Sequence, residues 1–181
     1  TIQALLEFYP YELSDTIAAD ETYIKILGKT AYIFFYFDAI KKIVTSYRVF
    51  EKRDTLSSIK AAYSTLSKYE TLPESLKVIS DGNPIYNVAV QYWTQNGLPF
   101  QLYQVIGLTN QDDISKEYRS QKQIIERFNR TLKYYYRPKG GFTDIDNANN
   151  YMVLFATYNN FLRPNKALEW KTPVQLPELD N

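Results

Sequence analysis

Three acidic residues in separate parts of the sequence have surroundings that suggest a shared metal site. Asp20 lies in an apolar stretch with the two-residue alternation of a β-strand, on the side that also carries Ala18 and Ile24. Asp81 ends a second strand-like run, and Glu126 opens a basic helical stretch. An acid on the apolar side of a strand needs a partner. We therefore expect the three carboxylates to meet at one edge of a sheet.

The composition of the chain restricts the ion that such a site binds. The sequence contains no histidine and no cysteine, so hard oxygen atoms are the available side-chain ligands, and these favour Mg²⁺ or Mn²⁺ over zinc. Two such ions about 4 Å apart can activate an attacking oxygen, stabilise a leaving oxygen and neutralise charge on a phosphorus centre. We expect Asp20 to bridge both ions, and Asp81 and Glu126 to bind one each.

A locally basic segment surrounds the third acid. A net charge of +1 over 181 residues gives no overall signature of nucleic-acid binding, but residues 116–139 carry mostly basic charges. At about 100° per residue, Arg130 and Lys133 lie on the same side of a helix as Glu126, whereas Ile125 lies on the other side. One side of this helix can therefore pack while the other meets a metal and a phosphate backbone.

Short motifs follow one another in a fixed order. They are Asp20-Glu21-Thr22-Tyr23, Arg53-Asp54-Thr55, Ser80-Asp81-Gly82-Asn83-Pro84, Glu126 with Arg130 and Lys133 at +4 and +7, Arg137-Pro138, Gly141-Phe142, Asn160-Phe161-Leu162-Arg163-Pro164 and Thr172-Pro173. Their order and spacing resemble the catalytic core of the DDE transposases and retroviral-type integrases, above all the bacterial insertion-sequence transposases. The resemblance covers residues 18–173.

This resemblance implies an activity and a set of partners. It implies that Asp20, Asp81 and Glu126 are the catalytic, metal-binding acids, acting with two Mg²⁺ or Mn²⁺ ions. The reaction would be nicking of a DNA strand followed by strand transfer, the chemistry of DNA transposition and integration. Joining two element ends to target DNA calls for at least two subunits, so we expect a homodimer or larger assembly on DNA.

The resemblance also implies roles for basic residues after the third acid. In the family, the basic residues at +4 and +7 contact DNA near the scissile phosphate, which assigns that role to Arg130 and Lys133. Further basic side chains of this segment are expected to bind the phosphate backbone. These are Lys122, Arg127 and Arg137.

Glu117 is a rival for the position of the third acid. It is separated from Asp81 by 35 residues, an interval found in many families of this type. We prefer Glu126 because the local pattern of the family surrounds it. In that interpretation, residues 106–121 form a loop insertion.

The pattern of elements predicts an α/β domain with an RNase H-like fold. Three strand-like runs at residues 18–27, 31–38 and 43–50 indicate an antiparallel meander. A helix at 55–69 capped by Asp54, a strand at 76–80, a helix at 84–95, a strand at 100–105 and later helices follow. We therefore expect a mixed five-stranded sheet, the meander plus parallel strands, flanked by helices and joined by right-handed crossovers.

The sequence also predicts the nature of the two chain ends and the location of the protein. Residues 1–17 show no clear period and are predicted to be a linker from an N-terminal DNA-binding domain outside this chain, and residues 174–181 a C-terminal tail. No apolar run approaches the roughly 20 residues of a membrane span, so we expect a cytoplasmic, nucleoid-associated bacterial protein that does not bind membranes. Two alternatives stay open: an RNase H-like nuclease without joining activity, and an inactive or domesticated DNA-binding core.

Overall fold

A mixed β-sheet forms the centre of the computed structural model, which describes residues 1–107 and 111–176. Its strands are β1 Thr16–Ile26, β2 Lys29–Asp38, β3 Val44–Phe50, β4 Lys77–Ser80 and β5 Gln101–Gln104. They form one five-stranded sheet in the order β3-β2-β1-β4-β5. The β1-β2 and β2-β3 pairs are antiparallel, and the β1-β4 and β4-β5 pairs are parallel. The predicted meander with added parallel strands is confirmed.

Helices cover both faces of this sheet. They are α1 Ile2–Phe8, α2 Thr55–Leu66, α3 Pro84–Gln95, α4 Asp113–Tyr136 and α5 Ile145–Thr157, with a π-helical turn at Tyr158–Leu162 and 3₁₀ turns at Arg137–Lys139 and Lys166–Leu168. Ile17 and Ala19 of β1 belong to the core beneath α2 and α3, whereas Ala18 and Ile24 belong to the core beneath α4 and α5. The alternation of strand side chains therefore sends successive residues of β1 into different layers.

The helix α4 replaces a predicted loop. It begins at Asp113, and the carboxylate of Asp112 accepts a hydrogen bond from the backbone N–H of Ser115 at 2.8 Å, as a helix cap does. The interpretation of residues 106–121 as a loop insertion is therefore wrong for 113–121, while 108–110 lie outside the described residues. Ser115, Tyr118 and Lys122 are buried at helical spacing, but a serine and a lysine give no apolar period in the sequence.

Both ends of the chain contact the domain. The segment predicted as a linker contains α1, whose Leu6 is buried, and Lys68 Nζ donates to the carbonyl oxygen of Leu6 at 2.7 Å. In the predicted tail, Val174 is buried and its N–H donates to the carbonyl oxygen of Asn160 at 2.8 Å, while residues 177–181 lie outside the described residues. The domain boundaries themselves stay predictions. Within residues 1–107 and 111–176, no helix has the length and apolarity that crossing a membrane requires.

Candidate active site

Asp20 projects from β1 towards α4, where two side chains hold its carboxylate. Lys122 Nζ donates to Oδ1 at 2.9 Å, and Asn129 Nδ2 donates to Oδ2 at 2.9 Å. Only 6% of the Lys122 side chain is exposed, and Asn129 is buried. Because Lys122 and Asn129 are seven positions apart, they lie about 20° from each other around the helix axis. One side of α4 therefore supplies both partners of Asp20.

Asp81 reaches Asp20 because β1 and β4 pair in parallel. Ala18 lies opposite Ile79, so the positions two residues further along, Asp20 and Asp81, end side by side. Carboxylate oxygens of these two aspartates lie within 4.8 Å of each other. The backbone N–H of Asn83 donates to Oδ1 of Asp81 at 3.0 Å, which fixes the turn that leads into α3.

Glu21 is the third acid of this cluster, and sequence reasoning missed it. Its carboxylate lies within 4.8 Å of those of both aspartates, yet its side chain is only 4% exposed. Tyr86 Oη donates to Oε2 at 2.6 Å, Asn83 Nδ2 donates to Oε1 at 2.8 Å, and Arg53 forms an ion pair with Oε1. The available signal was that Glu21, Arg53 and Asn83 all belong to the short motifs that resemble the family.

A cavity of about 400 Å³ opens beside Asp20. Glu126 lines it from α4, one helical turn after Lys122, and is partly buried. Glu126 is not one of the three acids within 4.8 Å of one another. Asp20 and Glu21 therefore belong both to the acidic cluster and to the cavity, and Glu126 belongs to the cavity alone.

The rival acid Glu117 lies elsewhere on the same helix and is exposed. Glu117 and Glu126 are nine positions apart, and at about 100° per residue their side chains leave α4 on opposite sides. Glu126 leaves it on the side of Lys122, which contacts Asp20. A continuous α4 therefore allows only one of these two glutamates to face Asp20, and Glu126 is the one that lines the cavity.

The five basic residues predicted to contact DNA lie in three settings. Arg130, Lys133 and Arg137 line the cavity. Arg127 is exposed on α4, and Lys122 is buried in the ion pair described above. Contact of these side chains with DNA stays a prediction.

The charges at the site fit a divalent cation. Burial raises the pKa of the Asp20 carboxyl above its usual value, Lys122 opposes the rise, and Glu21 and Asp81 add to it. The ammonium group of Lys122 already brings one positive charge to Asp20, and the buried Oδ1 of Asn129 has no hydrogen-bond partner among the described residues. Clustered hard oxygen atoms of this kind suit Mg²⁺ or Mn²⁺.

A known family model matches most of the chain. The family model of the IS240-type DDE domain matches residues 14–165, which include all three predicted acids and both glutamates considered for the third position. No curated protein matches the chain.

Solved structures of retroviral integrases are similar in fold. The HTLV-2 integrase catalytic core domain in complex with magnesium (trimeric form) has a TM-score of 0.61 at 17% identity, covering 90% of this chain and 95% of that chain. The BIV integrase catalytic core has a TM-score of 0.55 at 16% identity, covering 88% and 91%. A chain of the simian T-cell lymphotropic virus intasome, in complex with the PP2A regulatory subunit B56 gamma, has a TM-score of 0.59 at 18% identity. The match covers 84% of this chain and 51% of that chain. The chain therefore spans about half of that intasome chain, and the predicted RNase H-like fold is confirmed.

Proposed function

The chain belongs to the DDE domain family of transposases, and on this premise we propose that its acidic site catalyses metal-dependent nicking and strand transfer of DNA. In the first reaction, water attacks a phosphodiester at an element end and releases a 3′ hydroxyl. In the second, this hydroxyl attacks a phosphodiester of target DNA in line. Each step forms one phosphorus–oxygen bond and breaks another, so no covalent intermediate with the protein is needed.

The position of Asp20 carries the proposal. Its carboxylate lies within 4.8 Å of that of Asp81, and Asp20 lines the cavity that Glu126 lines. Glu21 shares both settings, but Tyr86, Asn83 and Arg53 already hold its carboxylate. We assign Asp20, Asp81 and Glu126 as the catalytic residues, which would hold the two Mg²⁺ or Mn²⁺ ions of the proposed reaction. When bound, the ions supply activation of the attacking oxygen and neutralisation of charge on the phosphorus centre.

Further groups orient the two aspartates and offer positive charge to a phosphate backbone. Asn129 orients Asp20 by donating to its Oδ2, and the backbone N–H of Asn83 holds Asp81. Arg130 and Lys133 present positive charge to the cavity, where they would bind phosphate oxygens with an affinity that falls as salt rises.

The proposed partners are element-end DNA, target DNA and a second copy of the protein. Joining two ends in one reaction requires at least two active sites in a defined arrangement, which a symmetric assembly supplies. The structurally similar HTLV-2 integrase core has been solved in both dimeric and trimeric forms.

The test is a strand-transfer assay with Mg²⁺ that uses a transposase containing this chain. We expect Asp81→Asn to abolish joined products and Asp113→Asn to preserve them, because Asp113 is exposed in the first turn of α4. Both changes remove one negative charge, so Asp113→Asn is the matched control. Undiminished joining by Asp81→Asn would refute the proposal, and nicked DNA without joined products in the wild type would indicate a nuclease instead.

A further inference from the structure

Lys122 holds one oxygen of Asp20, the acid that the proposed function assigns as a metal ligand. Its ammonium nitrogen lies 2.9 Å from Oδ1 of Asp20, and 6% and 14% of the two side chains are exposed. Asn129 Nδ2 uses the other oxygen. An Mg²⁺ ligand oxygen lies about 2.1 Å from the ion, so an ion and this ammonium group at the same oxygen would repel each other strongly.

The same lysine offsets charge in the cluster. Asp20, Glu21 and Asp81 bring three carboxylates within 4.8 Å. Arg53 pairs with Glu21, and Lys122 pairs with Asp20. Without Lys122, the carboxylates of Asp20 and Asp81 would face each other as like charges with no ammonium group beside Asp20. Lys122 therefore places one positive charge against the acidic cluster.

From these contacts we infer that Lys122 is a placeholder cation, which stabilises the metal-free site and leaves Asp20 when a divalent ion binds. The inference rests on the proposed function, because it takes Asp20 as a metal ligand. Lys122 acts through Asp20 and is thus a positioning residue. Its presence lowers the affinity of the site for metal and raises the stability of the metal-free protein.

Titration calorimetry with Mn²⁺ measures the first effect. We expect Lys122→Met to bind Mn²⁺ at least about tenfold more tightly than the wild type, because the competing charged hydrogen bond is gone. Lys116 is exposed on the same helix, so Lys116→Met removes the same charge and should bind within about twofold of the wild type. Lys122→Arg keeps a cation at the site and should bind no more tightly than the wild type.

Thermal unfolding measures the second effect. In EDTA, Lys122→Met should have a lower Tm than Lys116→Met, and saturating Mn²⁺ should raise its Tm more than it raises that of the wild type. A merely structural lysine would give the lower Tm without the tighter metal binding. If Lys122→Met does not fold, Lys122→Gln keeps a hydrogen-bond donor and should show the same tightening to a smaller extent.

Two results would overturn the inference in different ways. Mn²⁺ affinity in Lys122→Met equal to or weaker than that of the wild type removes the placeholder role and leaves metal-dependent strand transfer untouched. Absence of Mn²⁺ binding in both proteins removes the metal site itself, and with it the proposed function.

Discussion

Asp20 and Glu21 are consecutive carboxylates of β1, yet the protein holds them in different ways. Strand alternation directs Asp20 towards α4 and Glu21 towards α3. Two donors hold Asp20 and both come from α4, whereas three donors from two segments, the loop before α2 and the start of α3, hold Glu21. The donors are Lys122 and Asn129 for Asp20, and Arg53, Tyr86 and Asn83 for Glu21.

From this difference we infer that Asp20 can exchange a hydrogen-bond partner, whereas Glu21 is held in place. Glu21 ties together the loop before α2, the turn after β4 and the helix α3, so its release would loosen all three. Burial, together with the charge of Glu21, raises the pKa of Tyr86 well above its usual value, so the phenol stays protonated and continues to donate at neutral pH. Asp20 can change partners through movement of one lysine. We therefore regard Asp20 as the reactive acid and Glu21 as a structural one.

The largest expected effect comes from Asp20→Asn. The amide keeps the shape of the carboxylate but removes the anionic oxygen that a metal requires, so we expect neither detectable strand transfer nor Mn²⁺ binding. Circular dichroism should show a folded protein. Because we infer a structural role for Glu21, we expect folded Glu21→Gln still to bind Mn²⁺. Mn²⁺ binding by Asp20→Asn together with its loss in Glu21→Gln would reverse the roles of the two acids.

The second largest effect tests which glutamate of α4 joins Asp20. Changes in groups that only support metal ligands already cost about 10- to 100-fold in activity, so we expect Glu126→Gln to lower the rate of strand transfer by at least about 100-fold. Glu117→Gln should leave the rate within about twofold, because an exposed side chain on the far side of α4 cannot reach Asp20. The opposite pattern, measured as joined product over time, would contradict the assignment of Glu126.

Strand patterns predicted most of the fold, because alternation and the order of elements are local properties of the sequence. The meeting of Asp20 with Asp81 follows from adjacent parallel strands, which the element order indicated. The sequence did not reveal where α4 begins, since its first turns bury Ser115 and Lys122 among few apolar residues. It also did not reveal α1, which has seven residues and only Leu6 buried.

Partners across layers of the fold were the hardest to predict. Lys122, Glu126 and Asn129 are spaced so that they lie on one side of a helix. A lysine in a basic segment, however, suggests a solvent-exposed contact with DNA. Its burial against Asp20 depends on how α4 packs on the sheet. The network of Glu21 likewise joins residues from three distant segments. The two-residue alternation of β1 pointed to its apolar side, which carries Asp20, and Glu21 lies on the other side.

A smaller effect is expected on stability and tests whether Glu21 is fixed. Glu21→Ala leaves Tyr86 and Asn83 without their acceptor and Arg53 without its partner, which should lower the free energy of unfolding by about 2–4 kcal/mol. The exposed Glu51 provides a control, and Glu51→Ala should change this energy by less than about 0.5 kcal/mol. Urea unfolding measures both. Equal midpoints for the two variants would show that the network contributes nothing to stability.

Lys68 offers a second, partly buried ammonium group for comparison with Lys122. It donates to the carbonyl oxygens of Leu6 and Glu7 at 2.7 and 3.3 Å and lies over the ring of Tyr11. Backbone carbonyls carry no net charge, so these two bonds offset the burial of the ammonium group only in part. Burial lowers the pKa of Lys68 to about 8.

The smallest expected effect is therefore a pH dependence that Lys68 imposes on folding. Between pH about 8 and 10, the unfolded chain, in which a lysine has a pKa near 10.4, binds more protons at this position than the folded one. The free energy of unfolding should then rise with pH relative to Lys68→Met. Urea unfolding is measured from pH 8.0 to about 9.5. Tyrosines ionise in the unfolded chains of both proteins over this range, so the difference between the wild type and Lys68→Met reports on Lys68. If the free energy of unfolding has the same pH dependence in the two proteins, burial does not depress the pKa of this lysine.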